Sequence, residues 1–350
     1  MKICIVGAGA IGGYLAVMLA QAGNEVTVIA RGPHLAAIRE HGLKLLDADG
    51  AQVGCAAVQA TASINEAGQH DLILLTVKAH QVEPIANQPG ALMHADTILV
   101  PMQNGIPWWY FQRHGGEYEG FAVKTADPSG LIARTIDSAR ILGCVVYPAT
   151  TLVKPGVIQH IEGNRFPLGE LDGSESERVQ KIANVFVSAG LKSPVLSDIR
   201  AEIWLKLWGN LSFNPISALT HATLVDLCQH PYARELARNM MLEAQVVANK
   251  LGRTLRVTVD RRIEGAERVG RHKTSMLQDV EAGRDPEIDA LVGSVIELGA
   301  LTHTPTPHID SVFACVKLLS QTMAVQKAGV RALPVASVPA VQKIVEGLAA

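Results

Sequence analysis

KICIVGAGAIGGYLAVMLAQAG, residues 2–23, carries three local signals in sequence. Lys2 to Val6 is a short apolar run rich in β-branched residues, which predicts a strand. Gly7-Ala8-Gly9-Ala10-Ile11-Gly12 follows at once, and Tyr14 to Ala22 has helical character before Gly23. Strand, glycine turn, helix is the opening unit of a dinucleotide-binding sheet. The first glycine makes the turn, the second lets backbone N–H groups approach a pyrophosphate, and the third lets the helix lie close to the strand. One lysine followed by apolar and small residues also resembles a secretion signal, but the glycine spacing and the strand that follows favour the sheet.

Glu25 to Ala30 (EVTVIA) is that next strand, and it places Arg31 where the residue contacting the adenine ribose is expected. A carboxylate there would repel a 2′-phosphate, whereas a guanidinium can clasp one, so the sequence predicts NADP over NAD. An arginine after a strand is also an ordinary loop residue. Two further strands, Asp71 to Val77 and Thr97 to Val100, lead into Lys78 and into Gln103-Asn104-Gly105. Ligands of open parallel sheets sit beyond the carboxyl ends of the strands, so Gly7 to Gly12, Arg31, Lys78 and Asn104 should share one rim. Taken singly, Lys78 also reads as a surface lysine and Asn104-Gly105 as a turn.

From 108 to about 137 the chain reads as an insertion with little regular structure. Its Trp108-Trp109-Tyr110-Phe111 run is expected to form a small hydrophobic cluster under a long loop, with a lid or an interface as alternatives. Residues 141–170 return to strand-like alternation, and Ser176 to Ala189 predicts an amphipathic helix. Beyond Ser197-Asp198, which resemble helix N-caps, the pattern is helical throughout. The expected class is therefore α/β: a Rossmann-like NADP-binding domain over 1–196 and an all-α domain over 197–350.

The helical half opens on EIWLKLWGNLSFNP, residues 202–215. Lys206, Asn210 and Asn214 stand at i, i+4 and i+8 and so share one helix face, while Ile203, Trp204, Leu207, Trp208 and Leu211 cover much of the rest. A helix apolar on most sides is buried, and a polar stripe on it needs partners. A solvated stripe would use better helix formers than asparagine. Pro215 is expected to push Asn214 off ideal helix geometry. Further on, Asp285-Pro286-Glu287 reads as a helix start with Asp as cap, and Ser275 as an ordinary helix hydroxyl.

With 350 residues the chain has room for two domains. A net charge of −2 gives no reason to expect nucleic acid or anionic lipid as partner, which leaves small molecules. Five dispersed cysteines without a CxxC pair suggest no metal site and reduced thiols in the cytoplasm. No apolar run is long enough to predict a membrane span.

These residues together resemble the ketopantoate reductases (2-dehydropantoate 2-reductases). The resemblance covers nearly the whole chain: GAGAIGG, Arg31, Lys78 in TVKAHQ, Asn104 in QNG, the KLWGNLSFNP helix, and Ser275 in SMLQD followed by Glu287 in PEID. It implies NADPH-dependent reduction of 2-dehydropantoate to pantoate, a step toward pantothenate and coenzyme A, in a cleft between the two domains. It further implies Lys206 as proton donor, Asn210, Asn214 and Ser275 as substrate ligands, and Asn104 between cofactor and substrate. Glu287 would close the site near both, and Gly7, Ala8, Gly9, Ala10, Ile11, Gly12, Arg31, Lys78 and Ala149 would lie at the cofactor. A homodimer is compatible with it. The 108–137 insertion follows Asn104 and leaves room for a different 2-oxo acid. Other readings are a related opine or 3-hydroxyacid dehydrogenase, and an NADPH sensor without turnover.

Overall fold

The computed structural model describes residues 1–332, so the end of the domain expected over 197–350 lies outside the described residues. β1 (Lys2–Val6) runs into α1 (Ala10–Gln21), followed by β2 (Glu25–Ile29), α2 (Gly32–His41), β3 (Leu43–Leu46), β4 (Gln52–Ala56) and β5 (Gln59–Thr61). Next come β6 (His70–Leu75), β7 (Met93–Pro101), α3 (Leu131–Thr135), β8 (Leu142–Cys144), β9 (Ala149–Lys154), β10 (Val157–Glu162), β11 (Leu168–Glu170) and α4 (Glu177–Ser188).

Five strands form one sheet in the order β5-β2-β1-β6-β7, each neighbouring pair parallel. Numbered among themselves, they stand 3-2-1-4-5. This doubly wound order reverses between β1 and β6, and a ligand crevice forms at that switch, beyond the carboxyl ends of the strands. Ile3, Cys4 and Ile5 of β1 are wholly buried because both faces of the sheet are covered. α1 is apolar on nearly every side for a related reason. Leu15 and Leu19 share a core with Ile3 and Ile5 of this sheet and with Leu43, Leu45 and Ile158 of a second sheet, ordered β4-β3-β10-β9.

The helical half comprises α5 (Ile199–Thr220), α6 (Leu224–Gln229), α7 (Pro231–Lys250), α8 (Val259–Val269), α9 (Ser275–Glu281), a π-helical turn at Asp289–Gly293, α10 (Ser294–Leu301) and α11 (Pro307–Gln326). Asp198 caps α5 by accepting from the Ala201 N–H at 2.9 Å. α5 is the hub, with α7, α9 and α11 packed around it. Among the described residues, no helix is long and apolar enough to cross a membrane.

Two expectations are corrected here. Trp109, Tyr110 and Phe111 are fully buried in the same core as Trp204 and Trp208, so the aromatic run belongs to the main core and is neither a satellite cluster nor a lid. Polar bonds fix it there: Trp204 Nε1 donates to Tyr110 Oη at 2.8 Å, and Arg200 Nε donates to the Tyr110 carbonyl at 2.6 Å. α5 runs on through Pro215, which lies inside it; packing on several sides holds a helix together across a missing N–H. The helix expected from Asp285 begins instead at Ile288. Asp285 does not cap it, because its carboxylate accepts from Ser320 Oγ at 2.7 Å.

Candidate active site

The glycine loop is shaped by close contacts. A Cβ at Gly12 would stand 2.0 Å from the Gly7 carbonyl oxygen, so only glycine lets α1 start this close to β1. Gly7 holds φ +106°, and Thr76 Oγ1 steadies it by donating to its carbonyl at 2.5 Å. At Gly9 the situation is opposite: a Cβ would meet nothing within 4 Å. Gly9 is also the N-cap of α1 and supplies no side-chain cap, so the first N–H groups of the helix, which opens with Ala10 and Ile11, face open space. Unsatisfied N–H groups at the positive end of a helix dipole form an anion site.

Beside that loop lies a cavity of ≈ 460 Å³, lined by Gly7, Ala8, Gly9, Arg31, His34 and His80 among others. Arg31 is exposed at the N-cap of α2, and its guanidinium makes no hydrogen bond or ion pair among the described residues. His34 Nδ1 accepts from the Gly156 N–H at 2.9 Å, which makes Nε2 the protonated nitrogen that donates to the Ala8 carbonyl at 2.6 Å. No sequence signal marked His34 or Thr76. Open space at Gly9, bare helix N–H groups and an unpaired cation at the far end fit an elongated molecule with a diphosphate at its middle and a phosphate near Arg31.

A second cavity, ≈ 560 Å³, opens between the domains and brings together Asn104, Lys206, Asn210, Asn214 and Ser275. Lys206, Asn210 and Asn214 line it from a single face of α5. Lys206 Nζ donates to Asn104 Oδ1 and to the Val146 carbonyl, both at 2.5 Å. Burial pushes its pKa down to about 8, against the pull of the Glu287 carboxylate and Cys144. Asn214 is buried and donates to Ser275 Oγ at 3.4 Å, whereas the Asn210 amide has no partner among the described residues. Ala149, expected at the cofactor, lines this cavity instead of the one beside Arg31.

A seam of bonds joins the sheet domain to the helical half. Glu287 Oε1 accepts from the Ala79 N–H at 3.0 Å, so its side chain reaches into the sheet domain instead of serving its own helix. Lys78 Nζ donates to Asp279 Oδ2 at 2.8 Å and to the Asp285 carbonyl at 3.2 Å. Lys78, expected on the cofactor rim, is thus a clamp between the sheet domain and the helical half, and it lines neither of the two cavities. Asp279 was not singled out from sequence, although it stands four residues after Ser275 on the same helix. Gly105 completes the seam: at φ +90°, a Cβ on it would stand 2.0 Å from the Ala290 carbonyl oxygen, which accepts from the Ile106 N–H at 3.2 Å.

A doubly wound sheet with an anion-ready glycine loop, facing a helical domain that supplies a buried lysine, defines a two-domain nucleotide-dependent oxidoreductase. Comparison with known proteins narrows this. The family profile described as Ketopantoate reductase PanE/ApbA matches residues 3–173, and that described as Ketopantoate reductase PanE/ApbA C terminal matches residues 198–320. The chain belongs to the ketopantoate reductase family. It is 53% identical over 321 residues to a 2-dehydropantoate 2-reductase from Mesorhizobium japonicum, covering 91% of this chain and 98% of that one. A crystallised protein from Ralstonia solanacearum MolK2 shares the fold with a TM-score of 0.87 and 39% identity, over 92% of this chain and 98% of the other. D-mandelate dehydrogenase, solved as a ternary complex with NADH and anilino(oxo)acetate, superposes with a TM-score of 0.79 at 25% identity, over 93% and 99% of the two chains.

Proposed function

We propose that the protein reduces 2-dehydropantoate to pantoate with NADPH, and that Lys206 is its proton donor. The observation that carries this reading is the placement of Lys206: its ammonium sits in the interdomain cavity, held by Asn104 Oδ1 and the Val146 carbonyl. The cofactor supplies a hydride to the substrate's carbonyl carbon. Negative charge then grows on the carbonyl oxygen, where the Lys206 ammonium stabilises it and delivers the proton. Burial lowers the pKa of Lys206 to about 8, which leaves it charged at neutral pH and still a competent acid. Asn210, Asn214 and Ser275 offer neutral hydrogen bonds to the remaining substrate oxygens. Asn104, bonded to Lys206, positions that donor at the cofactor side, and Glu287 favours its charged form. Gly7 to Gly12 hold the diphosphate, Arg31 the 2′-phosphate, Lys78 the closed seam, and Ala149 the nicotinamide end.

The supporting geometry extends to the rest of the reading. Five unpaired cysteines fit the cytoplasm. Leu152 and Val153, exposed on the edge strand β9, fit a homodimer, which light scattering on the purified protein tests directly. The D-mandelate dehydrogenase complex favours a second reading in which another 2-oxo acid is the natural substrate. Following NADPH absorbance with a panel of 2-oxo acids separates the two. The proposal expects the highest kcat/KM with 2-dehydropantoate; a higher value with another acid selects the second reading, and no turnover would leave a sensor.

A further inference from the structure

Resting on the reading above, we propose that Arg262 is a specificity-determining residue whose guanidinium binds the substrate's carboxylate. Arg262 projects from α8 into the cavity that holds Lys206, Asn210 and Asn214. It lies against Gly209: a Cβ at that position would stand 2.1 Å from Arg262 Nη2, so the glycine on α5 makes room for the guanidinium. Gly209 is three residues on from Lys206 and next to Asn210, on the cleft side of the same helix. Neighbours at this spacing stand about one turn apart, on the order of 5–6 Å. A 2-oxo acid carries its carboxylate one carbon from the carbonyl, so a carbonyl at Lys206 puts the carboxylate within reach of Arg262.

The guanidinium has no internal use. Among the described residues it makes no side-chain hydrogen bond and no ion pair. Glu202, at the start of α5, is already paired with Arg165 and accepts from Tyr147 Oη at 2.7 Å. Glu162, which also lines the cavity, is exposed. Burial lowers the pKa of Arg262, and no neighbouring carboxylate opposes this. A half-buried guanidinium with no protein partner, lying against Gly209 at the wall of the cavity, is completed by an anion from the ligand, and a planar fork matches a carboxylate bidentately.

Arg262→Gln and Arg262→Lys are compared with the native protein, using 2-dehydropantoate and its uncharged amide, in steady-state kinetics and in calorimetric binding to the NADP-loaded protein. Loss of a charge-assisted bond predicts a KM for the acid raised ~10–100-fold in Arg262→Gln, with kcat changed far less. The amide should be nearly unaffected, and Arg262→Lys should recover part of the loss. NADPH affinity reports folding. An unchanged KM for the acid, or equal losses for acid and amide, would overturn the assignment. A native protein that turns over and binds neither compound would refute the proposed function itself, and this inference with it.

Discussion

Replacing Lys206 by methionine separates what this lysine does for the reaction from what it costs the fold. Its pKa falls from 10.5 to about 8 through burial. At ~1.4 kcal/mol per pH unit, charged Lys206 therefore costs the folded protein roughly 3 kcal/mol at neutral pH. The sign follows from the depressed value: the cost is full below pH 8 and is relieved as the pH rises from 8 toward 10.5. Methionine removes it but leaves Asn104 Oδ1 and the Val146 carbonyl without their donor, each worth about 1–3 kcal/mol if no water replaces it. The two effects offset, so Tm should move by only a few degrees. Activity should not be spared. Loss of the general acid should lower kcat by ~10²–10⁴ with NADPH affinity nearly intact. In the native enzyme, kcat/KM for reduction should fall as the pH rises through about 8, because the donor must be protonated, and this limb should vanish in Lys206→Met. Stopped-flow turnover across pH 6–10, with calorimetry for Tm, gives both readouts. A methionine variant retaining more than about a tenth of native kcat would refute the donor assignment.

Three further perturbations address the cofactor and the seam. Arg31→Asp should weaken NADPH ~10–100-fold and leave NADH almost untouched, measured by nucleotide fluorescence titration; an unchanged NADPH/NADH ratio would remove Arg31 from the 2′-phosphate. Asp279→Asn strips the ionic partner from half-buried Lys78 and from exposed Arg284, at a carboxylate that is itself mostly buried. It should lower stability by about 1–3 kcal/mol in a urea titration, and no change would mean the clamp carries no energy. Gly105→Ala combines a left-handed backbone, costing about 1–2 kcal/mol, with a clash against the Ala290 backbone. The chain must then open the seam, so scattering should show a more expanded molecule with a higher KM for substrate; native dimensions and KM would refute that role.

The legible parts of this molecule were those written in local periodicity. The glycine turn after Lys2–Val6 and the strands ending at Arg31, Lys78 and Asn104 place the crevice without any knowledge of contacts. Spacing alone puts Lys206, Asn210 and Asn214 on one face. What the sequence hides are relations between distant residues. Lys78 and Asp279 are 201 positions apart, and Ala79 and Glu287 are 208 apart, so no window of sequence contains either pair. Glu287 follows Asp-Pro and so imitates a helix start; only the fold reveals that its carboxylate faces the other domain. Arg262 gives no periodic signal at all, since its meaning depends on an absent side chain at Gly209. The aromatic run at 108–111 looks like loop filler until α5 is laid beside it. Backbone acceptors such as the Val146 carbonyl have no residue-type signature.

The lysine on α5 takes both of its anchors, Asn104 Oδ1 and the Val146 carbonyl, from the opposite half of the chain. The reactive centre is therefore not the property of either half. Exchanging one half for that of a distant relative would preserve two folded bodies and a nucleotide site while leaving the acid mis-aimed. The two segments can only drift together, and recombination among relatives should yield active chimeras only when both sides of this contact come from the same parent.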